Sequence, residues 1–318
     1  MTLLIKINPR KPEIDKIRII SDIINEGGLV VFPTETIYGL GASAFNGEAI
    51  KKIFKAKGRP SDNPLIVHIA NKKDINKLAR GVPSIVYKLA DEFWPGPLSI
   101  VLKKKEIVPD EATAGLKTVA LRMPDNKIAL EFIKKAGPIA APSANLSGKP
   151  SGTSVKHIIE DFNGRVECII DSGDSEIGVE STVISLASNP PMLLRPGKIT
   201  LEQLRKFIPS IQVHDAVKGI KIKGKPVSPG MKYEHYAPKA RVLIANSLAE
   251  ILRFKNNNKG KKVKVINISD VNKLAKNLFK LFREADREGY ELIIVKSVKD
   301  VGLGLAVMNR LRKAASKE

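Results

Sequence analysis

The sequence predicts an α/β protein: an open, twisted sheet of mixed strand direction, followed by a small doubly wound domain with a parallel sheet. Three observations support this prediction. Short apolar runs alternate with amphipathic helical segments through roughly the first two thirds of the chain. Loops rich in Gly, Pro, Ser and Asn follow several of these runs. A more regular alternation of strand and helix then begins near residue 240 and continues to the end of the chain.

The elements of the first part follow in order. A strand at residues 3–5 precedes an amphipathic helix over 12–25, with Pro12 in the first helical position and glycines after the last turn. The remaining predicted elements are a strand at 29–32, a helix at 48–57, a strand at 65–69, helices at 74–80 and 84–93, strands at 98–102 and 118–121, a helix at 126–136, and strands at 139–141, 166–170, 182–186 and 192–194.

The character of the chain changes over residues 214–239, where Gly, Pro and Lys occur without a steady apolar period. We interpret this segment as a linker with a functional role, because it is longer than most connections. We therefore divide the chain into a larger domain at 1–213, this linker, and a small α/β domain at 240–318. The small domain is predicted to contain strands at 242–244, 263–268 and 292–295, helices at 248–254 and 271–287, and a helix ending near 315.

Composition sets limits on the protein class. A chain of 318 residues with 43% hydrophobic residues is long enough for about two domains with real cores. The net charge of +21 favours polyanionic ligands such as phosphates, RNA or acidic lipids, although a solvated Lys-rich surface explains it equally well. The single cysteine, Cys168, excludes a disulfide framework within the chain and a Cys-based metal cluster. No signal peptide or membrane-spanning run is recognisable, so we expect a cytoplasmic protein.

Residues 33–69 form the most distinctive segment. A turn of small and hydroxyl residues leads into a helix that ends on Lys57, Gly58 and Arg59, and a polar loop then precedes an apolar strand. Two cations beside a glycine suit an anionic group such as a triphosphate, because a planar Arg fork binds phosphate oxygens in pairs. Taken alone, each cation is better explained by a surface salt bridge. Arg122, at a predicted strand end, is placed to bind a carboxylate.

Several familiar site patterns are absent. There is no Walker P-loop, and the glycines at 39–41 lack the strand–glycines–helix context of a dinucleotide site. The four histidines have no mutual spacing typical of a metal site. Ser143 and Ser181 lack the surroundings of a hydrolase nucleophile, although Ser143 and Asn145 follow a strand where they can hold a nucleotide or simply form a turn. The residues alone therefore indicate an α/β protein with an anion site.

Four segments carry a resemblance to a known family. The segments TETIYGL at 34–40, KGR at 57–59, SAN at 143–145 and STV at 181–183 resemble those of the YrdC-type threonylcarbamoyl-adenylate synthases. The added domain and SPGMKYEHYAPK at 228–239 are similar to the longer, two-domain members. The resemblance implies a YrdC-like domain followed by a small Rossmann-like domain, and it runs nearly from end to end of the chain.

The resemblance also implies a reaction and its partners. L-Threonine, bicarbonate or CO2, and ATP would give threonylcarbamoyl-AMP and pyrophosphate, which is a nucleotidyltransferase reaction. Mg2+ would accompany ATP on its phosphate oxygens, without protein side chains as ligands. The product would supply the threonylcarbamoyl group for the adenosine next to the tRNA anticodon, and a KEOPS-type complex would carry out that transfer.

The resemblance assigns site residues by their positions in the matching motifs. The catalytic set would be Lys57, Arg59, Ser143 and Asn145. The ATP contacts would be Lys57, Arg59, Ser61, Thr118, Ser143, Asn145, Ser151, Arg195 and His235. The threonine contacts would be Thr34, His68, Arg122, Ala141 and Ser181, with Arg122 on the carboxylate. Without the resemblance, His68 would be interpreted as a core histidine.

A further hypothesis concerns the linker. Tyr233, His235 and Tyr236 are amphipathic, and we expect them to fold over the nucleotide as a lid that excludes water.

Two alternative functions remain open. The first is a basic protein that binds double-stranded RNA or tRNA, and the basic segment 253–264 fits either RNA binding or plain solvation. The second alternative function is carbamoyl transfer in hydrogenase maturation, but it requires zinc-finger cysteines that a chain with one cysteine lacks.

Overall fold

The computed structural model describes residues 1–218 and 236–316, and its larger sheet has eleven strands. Strands β1 to β11 are Leu3–Lys6, Val30–Phe32, Gly39–Ser43, Ile66–His68, Leu98–Lys103, Thr118–Arg122, Ile139–Ala141, Cys168–Asp171, Thr182–Ser185, Met192–Arg195 and Gln212–Val213. Their spatial order is β1-β8-β2-β3-β7-β4-β6-β5-β9-β10-β11. Parallel pairs such as β4 with β6 occur beside antiparallel pairs such as β4 with β7. The predicted open sheet of mixed direction is confirmed.

Helices cover both faces of this sheet. Helices α1 to α8 are Ile14–Asn25, Gly47–Lys57, Asp74–Leu78, Ser84–Phe93, Asp110–Thr113, Lys127–Ala136, Val155–Phe162 and Leu201–Arg205. The apolar sides of α1 and α6 pack together on one face. The apolar sides of α2, α3, α4 and α7 form the larger core on the other face. This burial is the main source of stability for such a sheet.

The second sheet forms the core of what we call the C-terminal domain, the elements from Arg241 onward. Its strands β12 to β14, Arg241–Ala245, Val263–Ile266 and Leu292–Lys296, are parallel in the order β12-β14-β13. Its helices α9 to α11 are Leu248–Asn256, Val271–Arg287 and Leu303–Ala315. Helices α10 and α11 pack on one face of the sheet and α9 on the other. The predicted doubly wound parallel domain is confirmed, while the exact boundaries at 213 and 239 stay predictions.

One local prediction was wrong, and five elements were not predicted: the short elements α5, α8 and β11, and the two discussed below, β3 and α7. Pro12 is not the first helical residue, because α1 begins at Ile14 with Glu13 as its N-cap. Strand β3 was not predicted, since glycines disfavour strands. There, a Cβ on Gly41 would come within 2.7 Å of the Ile139 side chain, so close strand packing requires glycine. Helix α7 was also missed, because Ser and Gly residues obscure its start; Ser154 caps it by accepting a hydrogen bond from the backbone N–H of His157.

Strand periodicity places the polar side chains on one face of the sheet. Val67 of β4 and Leu121 of β6 are buried in the larger core. Because side chains alternate along a strand, Ile66, His68 and Arg122 point to the opposite face. His68 and Arg122 are register partners in the parallel β4–β6 pair. The fold therefore brings these two predicted threonine contacts side by side.

Candidate active site

A cleft on this face collects residues from several strand ends, from the segment after α2 and from the end of the linker. About 620 Å³ of space lies between its atoms, part of it open to solvent. The lining residues are Thr34, Ile37, Tyr38, Gly39, Arg59, Ile66, His68, Arg122, Ala141, Pro142, Ser143, Asn145, Glu180, Ser181, Arg195 and Tyr236. The cleft therefore joins segments that lie far apart in the sequence.

Most of the residues that the resemblance implies lie in this cleft. All five predicted threonine contacts line it, and so do Arg59, Ser143, Asn145 and Arg195 of the predicted ATP contacts. Lys57, Ser61, Thr118 and Ser151 do not line it. Ser61 is exposed beyond α2, and Thr118 lies four residues before Arg122 on β6, about 13 Å along the strand. His235 and Tyr233 lie outside the described residues, and their roles stay predictions.

Three arginines make the cleft a site for anions. Arg59, Arg122 and Arg195 all line it, and each is at most 9% exposed. Burial lowers the pKa of Arg195, yet guanidinium groups remain charged at neutral pH. Arg195 is held in place by Ser181, which accepts hydrogen bonds from Nε at its carbonyl and from Nη2 at its hydroxyl, both at 3.0 Å. Buried cations require charged partners, so a cleft with three of them favours a strongly anionic ligand.

Arg122 has a buried carboxylate partner that the sequence did not reveal. Its Nη2 donates to Glu35 Oε2 at 2.6 Å and to Thr36 Oγ1 at 2.9 Å. Both Arg122 and Glu35 are at most 5% exposed. Among the described residues Nη1 makes no hydrogen bond, so one edge of the guanidinium fork is available to a ligand. The Glu35 pair thus fixes the orientation of Arg122 while leaving it able to bind a carboxylate.

Lys57 lies behind the cleft wall. Its Nζ donates to the backbone carbonyls of Ser143 at 2.5 Å and Asn145 at 2.6 Å. Burial, reinforced by the neighbouring charge of Arg59, lowers the pKa of Lys57 well below its ordinary value. Gly58 ends α2 in the left-handed region at φ +60°, which lets the chain turn so that Arg59 reaches the cleft. In this structure Lys57 joins the end of α2 to the turn that carries Ser143 and Asn145.

Asn145 keeps one polar atom unused at the cleft. Its Nδ2 donates to the carbonyls of Leu146 at 2.8 Å and Lys149 at 3.0 Å. Its Oδ1 is buried, and it has no hydrogen-bond partner among the described residues. An unpartnered buried acceptor is costly, so such an atom beside a cleft points to a ligand that donates a hydrogen bond, such as a hydroxyl or an amino group.

Glu180 is a cleft residue that the sequence reasoning missed. Its Oε1 accepts a hydrogen bond from Ser151 Oγ at 2.6 Å, and its Oε2 accepts one from Arg310 Nε at 3.0 Å. Burial acts to raise the pKa of Glu180, but Arg310, Arg195 and the hydrogen bond from Ser151 act together to hold that pKa below its ordinary value. The one signal in the sequence was an acid two residues before a predicted buried strand. Glu180 links predicted nucleotide contact Ser151 to the C-terminal domain.

Comparisons with known proteins identify the family. A family model with the description "Telomere recombination", built on the Sua5, YciO and YrdC proteins, matches residues 22–197. The chain belongs to this family. A second model, described as "Threonylcarbamoyl-AMP synthase, C-terminal domain", matches residues 199–316. The chain is therefore a two-domain member of the Sua5/YciO/YrdC family.

Named relatives match over nearly the full length. The threonylcarbamoyl-AMP synthase of Pyrococcus abyssi is 50% identical over 337 aligned residues, which cover 99% of this chain and 98% of the relative. The synthase of Bacillus subtilis is 44% identical, covering 92% of this chain and 91% of its own length. The crystal structure of P. abyssi Sua5 complexed with L-threonine superposes with a TM-score of 0.94 at 50% identity, covering 99% of this chain and 98% of that one.

Tyr236 brings the end of the linker to the cleft. Its ring is 5% exposed, lines the cleft, and stacks on Phe279 of α10 with ring centroids 5.2 Å apart. Its backbone has a φ of +72°, a left-handed conformation that is uncommon for a bulky residue. Tyr236 is thus fixed between the cleft and the C-terminal domain. The predicted lid formed with Tyr233 and His235 concerns residues outside those described and stays a prediction.

No group of three or more His, Cys, Asp or Glu side chains is arranged to hold a metal ion within residues 1–218 and 236–316. In the same part of the chain, no helix is both long enough and apolar enough to cross a membrane.

Two buried histidines determine how the protein should respond to mild acid. The Nδ1 atom of His68 lies 3.2 Å from the carbonyl oxygen of Ile66. Burial, together with the charge of Arg122, lowers the pKa of His68 to about 3. Burial and the nearby Arg283 lower the pKa of His157 to about 3 as well. Both side chains are therefore neutral in the folded protein at physiological pH.

We expect the free energy of unfolding to decrease between pH 7 and pH 5. The unfolded chain protonates each histidine near pH 6.5, whereas the folded chain does so only near pH 3, so stability is complete above pH 6.5 and is lost as the pH falls. Each histidine contributes a loss of about 1.4 kcal/mol per pH unit below 6.5. Urea unfolding at several pH values measures this slope. The free energy of unfolding of the His157→Gln variant should depend less steeply on pH than that of the wild type. The control is His214→Gln, at a half-buried position. Equal pH slopes in the wild type and both variants would contradict the role given to His157.

Proposed function

We propose that the chain is an L-threonylcarbamoyladenylate synthase, a nucleotidyltransferase that makes threonylcarbamoyl-AMP and pyrophosphate from L-threonine, bicarbonate or CO2, and ATP. The observation that carries this proposal is the match, over 99% of this chain at 50% identity, to a relative with that name. The structure of P. abyssi Sua5 complexed with L-threonine adds a ligand to the comparison. The cleft with its three buried arginines supports a strongly anionic co-substrate.

Threonine would occupy the part of the cleft near β4, β6 and β9. The Nη1 atom of Arg122 would bind the carboxylate, because Nη2 is already engaged by Glu35. The hydroxyls of Ser181 and Thr34 line the same cleft. A neutral His68 beside Arg122 adds no positive charge, so the carboxylate would be attracted mainly to the guanidinium.

ATP would occupy the part that Arg59, Arg195 and the Ser143–Asn145 turn line. The two guanidinium groups would bind phosphate oxygens. The unpartnered Oδ1 of Asn145 would accept a hydrogen bond from the sugar or the base. Lys57 would act from behind by holding the turn through two of its carbonyls. The resemblance placed Lys57 directly on ATP, and a rearrangement of the turn upon binding would be needed for that contact.

Mg2+ would accompany ATP. Glu180 is the one carboxylate among the described residues that line the cleft, and both its oxygens already accept hydrogen bonds, from Ser151 and Arg310. The donor set of the cleft thus fits a magnesium–nucleotide complex whose ion is bound by phosphate oxygens and water. When bound, the ion would neutralise phosphate charge and favour departure of pyrophosphate.

The reaction needs no nucleophile from the protein. The amine of threonine adds to CO2 with loss of a proton and forms a carbamate. A carbamate oxygen then forms a bond to the α-phosphorus of ATP, and the bond from that phosphorus to the bridging oxygen breaks as pyrophosphate leaves. The chain would contribute by holding the two substrates in line and by neutralising charge with Arg59 and Arg195. The largely buried cleft would limit hydrolysis of the mixed anhydride product.

The product would serve tRNA modification. Threonylcarbamoyl-AMP is an activated acyl donor, and we propose that it supplies the threonylcarbamoyl group for the adenosine next to the tRNA anticodon through a separate KEOPS-type transfer complex. We therefore expect the protein to act in the cytoplasm.

The RNA-binding alternative has little support in the structure. Its strongest feature was the basic segment at residues 253–264. Lys264 pairs with Glu288 at 3.4 Å, and Lys262 donates to the backbone carbonyl of the same residue. Both ammonium groups also lie within about 5 Å of the Tyr290 ring centroid. Intramolecular contacts thus already engage part of this charge.

We expect the purified chain to release pyrophosphate from ATP only when L-threonine and bicarbonate are both present. A coupled pyrophosphate assay with each substrate omitted in turn measures this requirement. Serine and valine are matched controls, because each lacks one of threonine's two side-chain features. Release that is independent of threonine would contradict the proposed function.

A further inference from the structure

The C-terminal domain places two arginines in the interface with the larger domain, directly behind the cleft walls. Arg283 of α10 is 5% exposed and Arg310 of α11 is fully buried. Each makes its ion pair with an acid of the larger domain, and not with one of its own domain. Neither was singled out in the sequence, because long helices commonly carry arginines on their exposed faces.

Arg310 contacts residues 180–196, the segment that carries Ser181 and Arg195 and that we call the 180–196 wall. Its Nε donates to Glu180 Oε2 at 3.0 Å, and its Nη1 donates to the Pro196 carbonyl at 2.5 Å. Glu180 is the residue before Ser181, and Pro196 is the residue after Arg195. One guanidinium group therefore holds the Glu180 side chain next to Ser181 and the Pro196 backbone next to Arg195. It also lies 5.9 Å from the ring centroid of Tyr236, a further wall residue.

Arg283 holds the loop that carries Ser143 and Asn145. Its Nε and Nη2 donate to the Pro150 carbonyl at 3.0 and 2.7 Å, and its Nη2 also donates to Asp161 Oδ2 at 2.6 Å. Asp161 in turn accepts hydrogen bonds from the Leu146 backbone N–H at 3.2 Å and from Lys149 at 3.0 Å. The loop from residue 143 to residue 151 is thus held from behind at residues 146, 149 and 150.

Joining two domains through these buried ion pairs has a high desolvation cost. Buried ion pairs lose hydration, and apolar residues of similar volume often give an interface at least as stable. Their benefit is direction, since a guanidinium fork fixes the relative position of several oxygens at once. The contacts are aimed at the two segments that line the cleft, so we infer that geometry at the site is what they provide.

We propose that Arg283 and Arg310 are positioning residues of the active site, through which the C-terminal domain holds the 143–151 loop and the 180–196 wall in their working geometry. This inference rests on the proposed function for its kinetic consequences, but the mechanical part concerns this chain alone. The C-terminal domain is then a part of the catalytic frame, in addition to any other role.

The test replaces each arginine by lysine, which keeps the charge and removes the fork. The matched controls are Arg287→Lys on α10 and Arg312→Lys on α11, whose partners Glu160 and Asp300 lie on more exposed surfaces. Arg283→Lys should raise the KM for ATP more than that for threonine, because its loop carries predicted nucleotide contacts. Arg310→Lys should raise both KM values and lower kcat. We expect losses of about 10- to 100-fold in kcat/KM from such misplacement, and none in the controls.

A second variant covers the case in which a lysine variant fails to fold. Arg283→Met combined with Asp161→Asn removes both charges, so neither is left buried alone, and the amide oxygen introduced at position 161 can still accept from the Leu146 N–H. The same rise in the KM for ATP is expected. If this folded variant and the folded lysine variants keep wild-type KM and kcat values, the proposal is wrong.

Hydrogen exchange separates this proposal from the proposed function. Amides of residues 143–151 and 179–182 should exchange faster in Arg283→Lys and Arg310→Lys respectively, and at the wild-type rate in the control variants. This result does not depend on any activity. A wild-type protein without threonine-dependent pyrophosphate release would reject the function alone, whereas unchanged exchange in both lysine variants would reject the positioning role alone.

Discussion

Replacing Lys57 by alanine is expected to lower kcat for pyrophosphate release by about 100-fold or more, because the turn that carries Ser143 and Asn145 loses its support. The Lys57 ammonium donates to both carbonyls of that turn, at 2.5 and 2.6 Å. Without it, the Asn145 carbonyl lacks a donor among the described residues, at a cost of about 1–3 kcal/mol, and the Ser143 carbonyl keeps only the backbone N–H of Asn145 at 3.1 Å. Steady-state kinetics and urea unfolding of the same preparation measure both effects.

Lys51→Ala is the matched control for that variant. Lys51 lies on the same helix, α2, but its side chain is 55% exposed and pairs with Glu48 on the surface. Exposed pairs contribute little, so activity and stability should stay close to those of the wild type. A folded Lys57→Ala protein with a kcat within about twofold of the Lys51→Ala value would contradict the role given to Lys57.

Replacing Arg122 by alanine is expected to raise the KM for threonine by about 10- to 100-fold, with a much smaller change in the KM for ATP, since a hydrogen bond to a charged group contributes about 1.5–3 kcal/mol. The same change leaves Glu35 buried without its cation, which should destabilise the fold by about 3–5 kcal/mol. Kinetics at varied threonine and ATP, together with thermal unfolding, separate the two effects.

A double variant distinguishes loss of binding from loss of structure. Arg122→Met with Glu35→Gln removes the cation and the buried carboxylate charge together, so most of the stability should return. The high KM for threonine should remain, because nothing replaces the guanidinium. A threonine KM that recovers along with stability would show that Arg122 does not bind the carboxylate.

Local sequence patterns predicted much of the fold. Helix α10 was predicted with its observed bounds, Val271–Arg287, because its apolar residues repeat with helical spacing. Gly58 after Lys57 correctly indicated a helix end. Strand β3 escaped detection because its glycines serve close packing against Ile139, a contact that only the folded sheet creates. Local rules therefore fail where a distant strand determines the residue type.

The site was predicted less completely, for the same physical reason. Motifs and the resemblance named cations and hydroxyls that the structure brings to one cleft. Their buried partners are remote in the chain: Glu35 is 87 residues from Arg122, and Arg310 is 130 residues from Glu180. Nothing in a single sequence pairs such residues. For the same reason the sequence did not predict which way the Lys57 side chain points, because its ammonium group donates to backbone carbonyls, which every residue type has.

The most direct measurement is mass-spectrometric detection of the product after incubation of the protein with ATP, L-threonine and 13C-bicarbonate. The proposed reaction predicts threonylcarbamoyl-AMP in which the carbonyl carbon of the carbamate carries the label, with one pyrophosphate released for each molecule formed. With unlabelled bicarbonate, the mass of the product should be lower by the difference between one 13C and one 12C atom. Pyrophosphate release accompanied by AMP alone in a rapidly quenched reaction, with no labelled threonine adduct, would contradict the proposed activity.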